Sequence, residues 1–258
     1  MDLQLKNKNA LVTGSTKGIG YAIAQVLAQE GANVIVNGRS EESTQAAAKS
    51  IGNNARGIAA DVSTPLGCND LLEKSGQIDI LVNNAGIFEP KEFSEIPDED
   101  WERFYQINVM SGVRLTRAVL PQMLERNWGR VLFVSSESGV QIPAEMIHYG
   151  MTKAANISLV NGIARLTKGT HVTVNAILPG PTASEGVSEF VGHLAKEASQ
   201  SKEEFENDFF EHARPTSLIQ RFAEVEEVAN TTAYYCSPLS SATNGAAIRV
   251  DGGIILET

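Results

Sequence analysis

A chain of 258 residues, 42% hydrophobic and 20% charged, is long enough to bury a sizeable core, as one large α/β domain or two small ones. Its formal net charge of −10 argues against general nucleic-acid binding, which needs a basic face to release counterions, and no apolar run approaches the ~18 residues of a membrane span. Cys68 and Cys236 lie far apart and form no CxxC pair, so they read as buried small hydrophobes rather than a disulfide or metal site. Together with a start, MDLQLKNKNALVTG, that lacks a signal-peptide pattern, this leads to the expectation of a soluble protein in a reducing cytoplasm.

Short β-branched runs alternate with longer stretches of helical period, the pattern of a parallel sheet with crossover helices on both faces. Strands are predicted near 9–13, 33–37, 56–60, 78–83, 130–135, 171–177 and 246–250. Between them AIAQVLAQE, ESTQAAAKSI, LLEKS, the stretch from Asp98 to Arg126, the stretch from His148 to Leu166 and VEEVANTTAYYC read as helices. No Ser-rich or Pro-rich linker divides them, so the expectation is a single doubly wound, Rossmann-like α/β domain. From Pro179 to about Arg221 the rhythm stops: this segment is helix-prone, mostly polar and without a strand-like run.

The first strand runs into Gly14-Ser15-Thr16-Lys17-Gly18-Ile19-Gly20 and then into an apolar-periodic helix, the context a dinucleotide site requires. Gly14 would permit the tight turn, and Gly18 and Gly20 would let the helix N-terminus approach a pyrophosphate. Glycine turns of this kind also serve plain strand-to-helix packing. After VIVN, where an NAD-preferring site offers a carboxylate to the ribose 2′-hydroxyl, stand Gly38 and Arg39. Arg39 and Lys17 are either two solvated surface cations or a pair converging on a 2′-phosphate, and the second reading favours NADP(H) over NAD(H).

Further on come Asp61 after the third strand, Asn83-Asn84-Ala85-Gly86 after the fourth, Asn108 in the next helix, Ser136 after the fifth strand, and then Tyr149 and Lys153. With Thr13 to Gly20, this ordered set resembles the short-chain dehydrogenase/reductase family of the TGxxxGxG, NNAG, YxxxK type. The resemblance implies a seven-stranded sheet of order 3-2-1-4-5-6-7 and a homotetramer or homodimer built through the two long helices and the C-terminal strand. It also implies that Asp61 and Val62 contact adenine, that Asn83, Ala85 and Gly86 line the cofactor, and that Ile177, Pro179 and Gly180 cover the nicotinamide. Read without it, the Asn-Asn-Ala-Gly run is equally turn chemistry and Asp61 a helix cap. Between Asp61 and Gln77 the crossover helix looks several residues short of the family pattern.

Tyr149 and Lys153 are four apart, one turn from each other on a helix face. A neighbouring ammonium and the positive nicotinamide ring both favour the phenolate, which lowers the phenol's pKa toward working pH and lets Tyr149 give and take a proton. Ser136 is placed to donate to the developing oxyanion. By the resemblance, Lys153 also holds the nicotinamide ribose and Asn108 anchors a water that passes protons from Lys153 to solvent. His148 points about 100° away from Tyr149 on a helix, toward packing or a subunit contact.

In doubly wound sheets ligands sit beyond the carboxyl ends of the strands, which brings the 137–147 loop and a helical lid at 181–221 over the reacting carbon. Glu137, Ser138, Gln141, Ala144 and Glu145 are candidates to face substrate. Phe190, Phe205, Phe209 and Phe210 are candidates either for substrate contact or for packing within the lid. The acidic run EEFENDFFE would repel a highly anionic substrate. The chain therefore reads as an NADP(H)-dependent oxidoreductase acting on a small neutral carbonyl or secondary alcohol. A 3-oxoacyl-thioester reductase and a catalytically silent dinucleotide sensor are the alternatives, and neither a metal, a nucleic acid nor a membrane is expected as a partner.

Overall fold

The computed structural model describes residues 1–52, 54–187 and 201–256. Strands β1 (Asn9–Val12), β2 (Asn33–Gly38), β3 (Ala55–Ala59), β4 (Ile80–Asn83), β5 (Gly129–Val134), β6 (Val172–Pro179) and β7 (Ala247–Val250) form one seven-stranded sheet, order β3-β2-β1-β4-β5-β6-β7. Every pairing is parallel. The crossover segments supply α1 (Gly18–Gln29), α2 (Glu41–Ile51), α3 (Pro65–Ser75), α4 (Asp98–Tyr105), α5 (Ser111–Glu125), α6 (Ile147–Ala164), α7 (Lys202–Asp208) and α8 (Val225–Cys236).

The strands are buried on both faces, which is why they read as unbroken apolar runs rather than alternating ones. Ala10, Val12, Val34, Val36, Val82 and Ile177 pack with Ile23 and Leu27 of α1 and with Val228 and Ala233 of α8. Leu11, Ile35, Leu81, Val131 and Phe133 face the other way, onto Leu71 of α3, Leu115 and Met123 of α5, and Val160 of α6. The chain winds one way from β1 to β3 and the other way from β4 to β7, so the carboxyl ends of β1 and β4 flank the crevice where such sheets bind ligands.

Local chemistry sets the helix starts. Ser40 and Thr64 cap α2 and α3 by accepting from the N–H groups of Ser43 and Gly67. With Pro65 at its first position, α3 begins well ahead of the LLEKS run and is eleven residues long, so the short crossover expected from the sequence is a full helix. The stretch expected as one helix from Asp98 is divided by a π-helical turn, Gln106–Met110, between α4 and α5, and this turn carries Asn108. Among the described residues no helix is long and apolar enough to cross a membrane, no cluster could hold a metal ion, and both cysteines are free and buried.

His148 is fully buried, with its ring 4.0 Å from that of Phe104 and 5.9 Å from that of Trp101, as a packing role requires. Neither ring nitrogen finds a hydrogen-bond partner among the described residues, and burial holds its pKa below the usual histidine value against the pull of Asp100 and Glu89. A depressed histidine contributes stability above its unfolded pKa of ~6.5 and loses it as pH falls through that value. Wild type is therefore expected to lose stability between pH 6.5 and 5 faster than His148→Leu, by at most ~1.4 kcal/mol per pH unit; parallel urea denaturation curves at each pH check the difference.

Candidate active site

The glycine turn after β1 is held from β4. Gly14 has φ +60°, and a Cβ there would stand 3.0 Å from the Ala85 Cα. A Cβ on Gly20 would stand 2.3 Å from the Asn84 Nδ2. Both positions therefore demand glycine, because backbone and side chain from the β4 end press directly on the turn. The Thr13 hydroxyl accepts from the N–H groups of Asn84 and Ala85, each at 3.0 Å. The Asn84 amide donates to the carbonyls of Thr13 and Gly14, each at 2.9 Å. Asn84, which the sequence reading passed over as a site residue, is thus the clasp that sets the turn's shape.

Lys17 is extended and α1 begins without a side-chain cap, which leaves its first N–H groups open to an anion. An anion is in fact there: the Gly18 N–H donates to the Glu185 carboxylate at 2.7 Å. Ser15 is turned inward. Its N–H donates to the Asn37 carbonyl, its hydroxyl to that of Val12, and the hydroxyl accepts from the Asn37 N–H, so Ser15 joins β1 to β2 and keeps no donor for a phosphate. At the β2 end a Cβ on Gly38 would meet Thr16 at 2.5 Å. Lys17 and Arg39 are exposed, and their side chains have no hydrogen-bond or ion-pair partner among the described residues. Asp61 is exposed, with its carboxylate on the Ser63 N–H, while the Val62 side chain belongs to the core. The Asn83 amide donates to Thr116.

Beyond β5, Ser136 begins a short turn, Glu137–Gly139, and α6 brings Tyr149 and Lys153 against it. The Lys153 Nζ lies 5.5 Å from the Tyr149 ring centre and donates to the Val134 carbonyl at 2.9 Å. A Cβ on Gly86 would come within 3.5 Å of that Nζ, so the β4 end reaches the same corner. The Asn108 amide accepts from the Ile87 N–H and donates to the Ile87 carbonyl and the Thr152 hydroxyl, and its main-chain carbonyl accepts from Asn156. It pins the backbone after Gly86 to α6.

These groups wall a cavity of about 740 Å³. Gly14, Lys17, Gly18, Ile19 and Gly20 form one end, Ser136, Tyr149 and Lys153 the other, with Gly86, Pro179 and Gly180 along the wall between. Ser15, Thr16, Arg39, Asp61, Val62, Asn83, Ala85, Asn108 and Ile177 are not part of that wall. On the substrate side Glu137, Ser138, Glu145, Phe205 and Phe209 line it. Gln141 and Ala144 are exposed outside it, Phe210 is buried against Phe222, and Phe190 lies outside the described residues. Arg214, which the sequence reading missed, sits 3.2 Å from the Glu145 carboxylate and 3.9 Å from that of Glu137.

The short-chain dehydrogenase family model matches residues 8–194. An uncharacterized oxidoreductase of Bacillus subtilis, YvrD, is 50% identical over 99% of both chains, and a 3-oxoacyl-[acyl-carrier-protein] reductase of Aquifex aeolicus is 34% identical over 98% of this chain and all of its own. The crystal structure of L-sorbose reductase from Gluconobacter frateurii, complexed with NADPH and L-sorbose, superposes with a TM-score of 0.94 at 32% identity, covering both chains completely. The chain belongs to the short-chain dehydrogenase family. It is an oxidoreductase whose chemistry is hydride exchange at a carbonyl or carbinol carbon.

In this short-chain dehydrogenase the chain's own groups, without a nicotinamide beside them, favour the neutral tyrosine. Burial pushes the Tyr149 phenol above its ordinary pKa, the Glu137 carboxylate pushes it further, and a hydrogen bond with Ser136 opposes both. Burial also lowers the Lys153 ammonium to about 8, and its Nζ is turned to a carbonyl, so the cation one turn away does not govern the phenol. Within the chain Tyr149 is a neutral acid. Glu137→Gln removes the nearest negative charge, so the Tyr149 pKa is expected to fall toward the usual tyrosine value; a titration of ring-labelled tyrosine by carbon NMR checks this, and an unmoved resonance would show that Glu137 does not act on the phenol.

Proposed function

We propose that the protein is an NADP(H)-dependent reductase of small neutral carbonyl compounds, with Tyr149 as the proton donor. The observation that carries this reading is the convergence of Ser136, Tyr149 and Lys153 at one end of a cavity whose other end is the glycine turn. The turn suits a dinucleotide because its Gly18 N–H already takes an anionic oxygen, that of Glu185. Gly14, Gly18, Ile19, Gly20, Asn83, Ala85, Gly86, Pro179 and Gly180 would hold the cofactor, with Asp61 toward the adenine and Val62 serving the core. When bound, the nicotinamide supplies the hydride. Tyr149 as a neutral phenol holds the proton that carbonyl reduction consumes, Ser136 orients the carbonyl oxygen, and Lys153, pinned to Val134, keeps a cation beside the reacting atoms. Asn108 takes a positioning part, because its amide is committed to Ile87 and Thr152.

NADP(H) rather than NAD(H) is supported by the absence of a carboxylate at the β2 end and by the two unpartnered cations, Lys17 and Arg39. A neutral substrate is supported by Arg214, whose charge is already shared between Glu137 and Glu145. The kinship to an acyl-carrier-protein reductase favours one second reading, a 3-oxoacyl-thioester reductase; NADPH oxidation with keto sugars and simple ketones set against acetoacetyl thioesters separates the two. The free, buried cysteines support a reducing cytoplasm. Exposed Tyr105 and Leu166 on the α4 to α6 face, with β7 as a sheet edge, support a homodimer or homotetramer. The described parts of 181–221 that wall the cavity support a substrate-covering role for that segment.

Tyr149→Phe is expected to cut kcat by about 10²–10⁴-fold while leaving cofactor-protected melting in place; an active variant would overturn the assignment of the acid. Arg39→Asp is expected to shift the ratio of kcat/KM for NADPH over NADH by about tenfold or more toward NADH, since a charge-assisted hydrogen bond gives way to repulsion. An unchanged ratio in parent and variant would remove Arg39 from cofactor choice.

A further inference from the structure

Ser136 has one proton to give and two lone pairs to share. As the chain stands, the proton and one lone pair are used. The hydroxyl donates to the Glu137 Oε2 and accepts from the Ser138 N–H at 3.1 Å. Glu137 is itself buried, with 6% of its surface exposed, yet it lines the cavity. Its Oε1 faces Arg214, which leaves Oε2 as the acceptor turned to the serine. A carbonyl oxygen arriving between Ser136 and Tyr149 finds the serine proton already committed to a Glu137 oxygen, and it gains that proton only if Glu137 is given another donor.

One kind of substrate resolves this conflict. A hydroxyl on the carbon next to the carbonyl lies about one hydrogen-bond length, ~2.8 Å, from the carbonyl oxygen, which matches two protein oxygens that are themselves in hydrogen-bond contact. That hydroxyl donates to Glu137 Oε2 in place of the serine, and the serine proton turns to the carbonyl oxygen. No acceptor is left unpaired, whereas a plain ketone, with Tyr149 as one donor, takes the serine proton only by leaving the Glu137 Oε2 without it.

We propose that Glu137 is a specificity-determining residue that selects α-hydroxy carbonyl substrates, by exchanging the Ser136 hydroxyl for the substrate's own. This rests on the reading of Ser136 and Tyr149 as the groups at the carbonyl oxygen. The test compares kcat/KM with NADPH for hydroxyacetone against acetone and for 2-hydroxycyclohexanone against cyclohexanone, in the wild-type chain and in Glu137→Gln. Wild type is expected to prefer each hydroxy ketone by about tenfold or more, the size of about one hydrogen bond, and the variant to lose most of that preference. A loss of packing would lower both members of a pair alike and leave the ratio in place. Equal kcat/KM within each wild-type pair, or a preference that survives Glu137→Gln, overturns the inference and leaves the reductase reading intact. No reduction of any carbonyl with either NADPH or NADH overturns the reductase reading, and the inference falls with it.

Discussion

The site depends on one constraint: the crevice between β1 and β4 must stay narrow enough for two loops to share hydrogen bonds. The Thr13 hydroxyl and the Asn84 amide make four such bonds across it, and the glycines at 14 and 20 exist because no Cβ fits between those partners. A glycine-rich turn costs conformational entropy on folding. Here that cost is offset by side-chain to backbone bonds from the neighbouring strand, so the turn's shape is preset rather than adopted when a phosphate arrives. The same connection runs onward. Asn84 leads through Ala85 to Gly86, the next residue is gripped by Asn108, and Asn108 reaches α6 through Thr152, so the phosphate turn and the Tyr149 helix are placed relative to each other by one chain of short contacts.

Burial of charge is the second determinant of the chemistry. Lys153, Glu137 and Tyr149 occupy one poorly solvated corner, where each charged form is disfavoured and each partner matters more than it would in water. Lys153 donates to the Val134 carbonyl, and the pull of Glu137 partly offsets its desolvation. Burial pushes the Glu137 carboxyl up, and Ser136 and Arg214 oppose that only in part. The balance raises the phenol and the carboxyl and weakens the ammonium, so burial favours the neutral form of each of the three groups. The ion pairs on the outer surface, such as Lys74 with Asp70, are exposed and contribute little by comparison.

Much of the architecture was legible in the sequence, because a sheet buried on both faces writes itself as β-branched runs separated by helical period. All seven predicted strands are present within about two residues at each end, and the order follows the family resemblance. Spacing was enough to bring Ser136, Tyr149 and Lys153 to one corner, since four residues on a helix is a geometric statement. It was not enough for the ionisation, which depends on solvent and on Glu137, neither of which has a spacing. Side-chain direction in loops was equally hidden: Ser15 and Ser136 are both serines after a strand, yet one points into the sheet and the other into the cavity. Arg214 was out of reach because a residue 77 positions beyond Glu137 meets it only through the fold.

The segment after β6 connects the two ends of the cavity through charge. Near its start, Glu185 sits on the Gly18 N–H, and farther along Arg214 bridges Glu137 and Glu145. At each end a group of the kind a ligand would bring is supplied by the chain itself, a carboxylate where a phosphate belongs and a serine hydroxyl where a substrate hydroxyl belongs. Buried polar groups are satisfied in folded proteins, so a ligand gains only the difference between its own hydrogen bonds and the internal ones it displaces. Selectivity follows from that exchange: a ligand that replaces the displaced bond in kind is accepted, and one that cannot do so leaves a buried acceptor unpaired. The acidic and hydroxyl side chains beside the cavity therefore discriminate among ligands as much through what they already hold as through what they offer.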